Sequence, residues 1–458
     1  MQPTSSDLTA PNAPRTPALV RGNWLLGVGP DLLRRPLALL DELSARGDVV
    51  GFRLPGMRAV LVNRPELIQR VLHDRRTFNK QMRSYRRVGA LVGDGLATSD
   101  GDFWLRQRRI AQPAFHRQRI AGFGATMVRF AEAAREQLGR AGGRPIDVFE
   151  AMNRLTLDIA CEALLGPDAR EDNEILGRTF TEVAAYLVDR LNLLWYLPLW
   201  VPTGPNRRCQ AAVAALDAAV HRIIARRRAQ PHESLDLLSM MLHARDEDTG
   251  ACMSDTQLRD EVVTMLLGGH ETTSTALTWA LHLLAGHPDV QARLHAELDA
   301  ALGGRAPTVA DLEQLPYTRM VVEETMRLYP PIWLVARNAA CDVDLGGFPI
   351  ARGTAVFLSP WGAHRSPALW DAPEVFRPER FAPEHAAGRH RYAYFPFVGG
   401  PRQCIGNAFA LMEARLVLAV LLQRHYFTRA PGSVADPEPL LTLRPKAGLR
   451  LLAHPRGP

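Results

Sequence analysis

The chain has 458 residues, 47% hydrophobic and 22% charged, with a formal net charge of +7 at pH 7. That balance excludes a disordered or low-complexity protein and supplies enough apolar material to enclose a large ligand. The positive charge comes almost wholly from arginine, since Lys80 and Lys446 are the only lysines, and the arginines are scattered rather than gathered into a nucleic-acid patch.

No run reaches the roughly 18 apolar residues of a transmembrane segment, and the N-terminal residues lack the apolar centre of a signal peptide. Cys161, Cys209, Cys252, Cys341 and Cys404 are odd in number and not closely paired, which fits a reducing compartment better than a disulfide framework. A cytoplasmic protein is expected.

Residues 1–24 are rich in Pro, Thr and Ala and are expected to be flexible. Residues 25–458 are expected to form a single domain, because no Gly/Ser linker or internal repeat divides them. Alternating apolar residues predict short strands at Val49–Phe52 and Ala59–Val62. Trp104 and Arg108 follow, four residues apart on one helical face, so an indole donor and a guanidinium lie one turn from each other. A period of 3.6 residues predicts helix over Phe123–Leu138 and Asp217–Arg228. Between them Leu193–Trp200 is unusually apolar for a connection. It is expected to pack on the protein's own core, to line an access route or to touch a membrane surface.

The clearest helix opens at Ser254, with Gln257 placed to complete a capping box. It runs to about Ala285, where Gly286 and Pro288 end it. Gly268 and Gly269 sit in its middle at roughly 1 kcal/mol each relative to alanine. Either close helix packing or a flat ligand or dioxygen against the backbone would offset that cost. Glu271, Thr272 and Thr273 come next, an acid and two hydroxyls inside a mainly apolar helix, where polar groups need partners. A threonine hydroxyl can bond the carbonyl one turn back and open a notch, and a Glu271–Thr272 pair can relay protons to dioxygen.

A further helix is predicted over Tyr317–Leu328, ended by Pro330 and Pro331. It carries Glu324 and Arg327 on one face, a spacing that usually means a surface ion pair of little energetic weight. With a third strand predicted at Thr354–Leu358, the elements add up to a mainly α protein with a minor sheet.

Cys404 stands in Phe397-Val398-Gly399-Gly400-Pro401-Arg402-Gln403-Cys404-Ile405-Gly406, directly ahead of an apolar helical stretch. A helix starting at Ile405 would aim free N–H groups and its positive dipole end at the sulfur, favouring the thiolate. Gly400 and Gly406 admit a sharp turn or the approach of something flat, and Arg402 offers a fork of donors to a carboxylate. One thiolate, a flat partner and carboxylates point to haem. A closed zinc site would need four Cys or His ligands, and Cys404 has no C-x-x-C partner. Taken alone, the cysteine would more simply be a small buried apolar residue.

The pattern F-x-x-G-x-R-x-C-x-G is much more restrictive than one cysteine, and it closely resembles the haem-binding loop of the cytochrome P450 family. The run Gly268-Gly269-His270-Glu271-Thr272-Thr273 resembles the oxygen-activation motif of the same family, in which alanine often stands where Gly268 is. The resemblance runs from about Leu32 to Leu451. It implies the cytochrome P450 fold, a large helical domain with a small β-sheet-rich part. It also implies haem b (iron protoporphyrin IX), with Cys404 as the axial ligand of the iron.

Around that cofactor the resemblance places Gly268, Gly269, Phe397, Gly400 and Gly406, with Trp104, Arg108, Arg337 and Arg402 on the propionates. It makes Glu271 and Thr272 the catalytic residues of proton delivery. Glu324 and Arg327 become a buried structural pair joined by Arg380, from Pro378-Glu379-Arg380-Phe381. By family position the substrate pocket is lined by Leu91, Val92, Met265, Gly268, Ile332, Leu334 and Val335, its walls coming from the segment around Arg83 to Leu96, the stretch around Ala185 to Tyr196, the helix near Met265 to Thr272, and Ile332 to Val335.

The function so implied is a monooxygenase that hydroxylates or epoxidises a lipophilic small molecule, such as a terpenoid, fatty acid or steroid-like compound, with O2 and two externally supplied electrons. The electrons are expected from a ferredoxin and its NAD(P)H-dependent reductase, because no flavin or iron–sulfur domain is appended. Arg106, Arg109, Arg389 and Arg391 are expected either to form a basic docking face for such an acidic donor or to be merely solvated. The alternatives are a peroxygenase or isomerase of the same fold, relatives that commonly lack the acid–threonine relay, and a non-catalytic haem-binding sensor.

Overall fold

Prolines set many of the helix starts, at positions where a missing N–H has no intrahelical partner to lose: Pro36–Ser44, Pro65–His73, Pro288–Leu302 and Pro316–Leu328. The computed structural model describes residues 15–166, 172–192, 197–229, 236–246 and 248–457. Helix dominates it, as the periodicity predicts. The central helix, Asp255–Gly286, opens on the expected capping box: Gln257 N donates to Ser254 Oγ at 3.3 Å, and Ser254 N donates to Gln257 Oε1 at 2.8 Å. It packs along Val148–Leu165, itself capped by the Asp147 carboxylate. The predicted helix Phe123–Leu138 is found at Gly124–Gly139, and Asp217–Arg228 is the later part of Gly204–Ala229.

The helix after Cys404 spans Asn407–Arg424, with Gly406 as its cap, and so begins two residues later than expected. The Cys404 N–H is occupied by Phe397 O at 3.0 Å, which turns the chain back on itself before a helix can start. Asn407–Arg424 is apolar on nearly every side, as a helix surrounded by protein must be. Its buried residues run almost unbroken from Met412 to Gln423 and join Leu258, Val262, Leu266 and Ile159 in the main core. Each such leucine contributes about 1.5–3 kcal/mol by leaving water.

The three predicted strands meet in one sheet. Among the described residues its order is Ala18–Leu19, Val49–Leu54, Met57–Val62, Ala355–Leu358, Val335–Ala339, Phe78–Asn79. Met57–Val62 pairs antiparallel with Val49–Leu54 across a turn at Pro55-Gly56, and in parallel with Ala355–Leu358, Ala59 opposite Ala355. Val335–Ala339 lies antiparallel against Ala355–Leu358, with Arg337 opposite Val356. A second sheet joins His425–Arg429, Arg450–Pro455 and Ile146–Asp147.

Of the N-terminal residues expected to be flexible, those from Arg15 onward are described: Ala18–Leu19 pair in parallel with Val50 and Gly51, and Trp24 is 87% exposed. In the apolar connection, Leu193 to Tyr196 lie outside the described residues. Leu199 packs against the main core, whereas Leu197 and Trp200 are 54% and 78% exposed. Among the described residues no helix is long and apolar enough to cross a membrane.

Candidate functional site

The Cys404 loop is a constrained turn. Val398 and Gly400 both adopt left-handed backbone, with φ of 60° and 66°, and for a β-branched residue such as Val398 that is a strained conformation. A Cβ on Gly400 would stand 2.4 Å from Leu72 O, so glycine is required there by space as well as by φ. Val398 N donates to Phe395 O at 2.9 Å, and Phe395 N donates to Nε2 of the buried His364 at 2.9 Å. Burial and the nearby Arg327 charge push the His364 imidazole down to about 3, so it stays neutral and able to accept.

Cys404 faces a cavity of about 330 Å³, within the ~300–1,000 Å³ range of small-molecule sites. Burial pushes the thiol up from its ordinary value, while the Gly406 N–H and the Arg108 charge pull it down. The sulfur is open to the cavity, and the Gly406 N–H supplies the kind of stabilisation that a helix start at Ile405 was expected to give. A cation bound at the sulfur would add to that stabilisation.

The central helix forms one wall with Thr264, Met265, Gly268, Gly269 and Thr272. Helix packing does not explain the paired glycines: a Cβ on Gly268 would meet nothing within 4 Å, and one on Gly269 would sit in ordinary contact, 4.0 Å from Ala160. What they leave free is backbone facing the cavity. Thr272 Oγ1 donates to Gly268 O at 2.6 Å and Thr273 Oγ1 to Gly269 O at 3.0 Å, the one-turn-back bonds anticipated from sequence, although the helix remains unbroken. Glu271 is turned away from the cavity wall: its Oε1 accepts from Thr442 Oγ1 at 2.8 Å.

Of the residues expected to line the pocket, Met265, Gly268 and Ile332 are on the wall. Leu91 and Val92 are instead buried in the main core, Val335 in the core beside the large sheet, and Leu334 packs among the residues behind that sheet. Leu96, at the end of the segment expected to form a wall, does line the cavity, and Ala97 and Phe409 take wall positions that the sequence did not single out.

Cations crowd one end. Lys80, Trp104, Arg108 and Arg402 line the cavity, and the buried Arg337 is near enough for its charge to act on Lys80 and Arg402. Arg402 stacks 4.1 Å over the Trp104 ring, bonds Ser99 O at 3.1 Å and pairs with Asp100; Arg108 donates to Gln403 O at 3.0 Å. Arg337 donates to its neighbour Ala336 O at 2.9 Å. Burial pushes the Lys80 ammonium well below its ordinary value, helped by the Arg337 and Arg402 charges and opposed by Asp100; burial likewise brings Arg402 to about 10.

Buried cations with Asp100 as the carboxylate acting on them mark a site short of negative charge, and the Nε of Arg402 is buried without a partner. A porphyrin fits these residues. Its two carboxylates answer the cation cluster, its flat face answers the bare glycines, and its iron answers the sulfur. Sequence reasoning missed Lys80, although its rarity in an arginine-rich chain was a usable signal.

Glu324, Arg327 and Arg380 meet in a buried cluster rather than at the surface. Arg327 forms two bonds with the Glu324 carboxylate, at 2.7 and 2.8 Å, and Arg380 Nε reaches the same group at 3.2 Å. Arg327 also donates to His364 O, Pro373 O and Val375 O, which ties the helix Pro316–Leu328 to the segment leading into the Cys404 loop. Among the arginines considered for docking, Arg109 pairs with Asp246 and Asp248, and Arg389 donates to Arg380 O and stacks on Trp370. Arg106 lies over Phe103, and Arg391 is exposed over Tyr392.

The family model described as Cytochrome P450 matches residues 14–451. Cyclooctatin synthase of Streptomyces melanosporofaciens is 39% identical over 93% of this chain and 92% of its own length. Cyclooctat-9-en-7-ol 5-monooxygenase of the same organism is 37% identical over 92% of each chain. Pentalenene oxygenase of Streptomyces avermitilis is 33% identical over 93% of this chain and 94% of its own. Among solved structures, the crystal structure of the cytochrome P450DA haem domain superposes with a TM-score of 0.88 at 28% identity, covering 98% of this chain and 99% of that one.

Proposed function

The chain belongs to the cytochrome P450 family and is a haem-dependent monooxygenase, and from that premise we propose that it hydroxylates or epoxidises a terpenoid, with Thr272 and Glu271 handling the protons. The observation that carries this reading is that Cys404, Thr272 and the bare backbone of Gly268 share one largely apolar cavity. The terpenoid assignment, in preference to a fatty acid or steroid-like compound, is supported by the relatives named for cyclooctatin, cyclooctat-9-en-7-ol and pentalenene.

Cys404 would hold the iron, and Lys80, Trp104, Arg108, Arg337 and Arg402 would hold the propionates. Haem, once bound, supplies dioxygen activation and insertion of one oxygen atom into an unreactive bond. Met265, Ile332 and Leu96 exclude water and orient the substrate by shape. Thr272 Oγ1 holds a proton at the wall and can turn from Gly268 O to deliver it. Glu271, next in the chain and steadied by Thr442, restores it through solvent. A ferredoxin with its NAD(P)H-dependent reductase provides the electrons, and the enzyme works in the cytoplasm.

The test is a screen of terpenoid hydrocarbons and alcohols by the shift of the haem absorption band, followed by turnover with a ferredoxin and reductase. We expect a product one oxygen atom heavier than its substrate and dependent on the reductase. Turnover driven by peroxide alone would favour the peroxygenase, ligand-induced shifts without any product would favour the sensor, and exclusive turnover of fatty acids would overturn the substrate class.

A further inference from the structure

Tyr392 lies twelve residues before Cys404 and is 1% exposed. Its hydroxyl accepts from Gly400 N at 3.2 Å and lies 2.6 Å from His73 Nε2. A phenolic oxygen has one proton and two acceptor sites. With the Gly400 N–H on one of them, His73 decides the rest: it takes the phenolic proton on a bare Nε2, or donates into the second acceptor site. Either way His73 orients the hydroxyl that holds the loop amide.

Three other contacts fix the same geometry. The His73 and Tyr392 rings meet edge to face, 5.8 Å apart with 78° between planes. Gly399 is pressed so closely on the Tyr392 ring that a Cβ there would come within 2.4 Å of it. Leu72, beside His73 at the end of the helix Pro65–His73, places its carbonyl where a Cβ on Gly400 would fall. The left-handed turn at Val398 and Gly400 persists only because its surroundings over-determine it, and this helix end is a large part of those surroundings.

We infer that His73 is a positioning residue for the thiolate, acting through the Tyr392 hydroxyl on the Gly400 amide and so on the turn that carries Cys404. The inference rests on the haem-thiolate reading above. Groups that orient a metal ligand tune its donation and the reduction potential of the metal. His73 is exposed whereas Tyr392 is buried, so the pair runs from the protein surface to the ligand loop.

The experiment compares haem-loaded wild type with H73F, H73Q, Y392F and the H73F/Y392F double variant. Two quantities are read: the midpoint potential of the haem, and the lifetime of the absorption band that sulfur-ligated iron shows when reduced under carbon monoxide. H73F and Y392F each shift the potential in the same direction and shorten the lifetime severalfold. The double variant goes no further than the larger single change, and H73Q, which can still hydrogen-bond, restores wild-type behaviour. A wild-type potential and lifetime in H73F would overturn the inference, as would additive effects in the double variant. Should Y392F fail to retain haem, H73F and H73Q decide alone, because replacing an exposed histidine leaves the buried ring in place. A wild-type protein that loads haem but lacks the sulfur-ligated band would instead remove the premise, and this inference with it.

Discussion

Glu261 shows how much a single side chain on the central helix can change stability. It is 1% exposed, accepts one N–H from Leu96 at 3.1 Å, and has a second oxygen without a partner. Burial, with Asp260 adding to it and the Leu96 bond opposing, pushes its carboxyl up to about 7 from an ordinary 4.5. A raised value means the folded state binds the proton more tightly than the unfolded one. Its contribution is therefore fully present below about pH 4.5 and is lost as pH rises through about 7, a swing of about 3 kcal/mol. Glu261→Gln keeps the acceptor for Leu96, so its melting temperature should match wild type near pH 4.5, exceed it increasingly up to about pH 7 and hold a constant lead above that. Thermal unfolding followed by circular dichroism across that range checks this. Thr272→Ala should leave reduced cofactor consumption running while product per electron falls, read as the ratio of product to NAD(P)H oxidised. At this scale Cys404, Thr272 and Glu324 were legible because each sits in a local pattern. The Glu271–Thr442 and His73–Tyr392 bonds were not, since they join positions 171 and 319 residues apart.

Among the elements, the central helix was readable to within a residue, cap included, because its signals are local: Ser254 and Gln257 at one end, Gly286 and Pro288 at the other. What its paired glycines are for was open in the sequence and is decided by the neighbours. Because a Cβ on Gly269 would meet only an ordinary contact, 4.0 Å from Ala160, Gly269→Ala should raise the melting temperature by the equivalent of about 0.5–1 kcal/mol through helix propensity. Gly268→Ala, which projects a methyl into the cavity, should instead change the substrate-induced shift or the product distribution. The helix after Cys404 was misplaced by two residues because the bond from Cys404 N to Phe397 O depends on the folded loop. Leu91, Val92, Leu334 and Val335 left the pocket for a similar reason: an apolar residue suits a wall and a core equally, and three-dimensional packing decides between them.

For the molecule as a whole, the mainly helical architecture followed from periodicity, whereas the pairing of distant strands did not, because short strands carry no information about their partners. The Glu324 cluster joins helix to loop across this larger frame, with 0% exposure of the Glu324 and Arg327 side chains. Glu324→Ala leaves two guanidinium groups buried with their counter-charge gone. We expect a loss of about 3–5 kcal/mol, seen as lowered melting temperature and reduced haem retention after purification. A stable, haem-loaded variant would show that the cluster is dispensable.

The register of the large sheet also bears on how the protein is made. Met57–Val62 finds its parallel neighbour Ala355–Leu358 only after roughly 290 further residues. At ribosomal rates of ~5–20 residues per second, the hairpin Val49–Val62 waits on the order of 15–60 s with an open edge after it has been synthesised. Nascent chains stalled before Ala355 should therefore be prone to aggregate and dependent on chaperones. Cofactor loading should wait longer still, because the cysteine loop is translated after Ala355–Leu358.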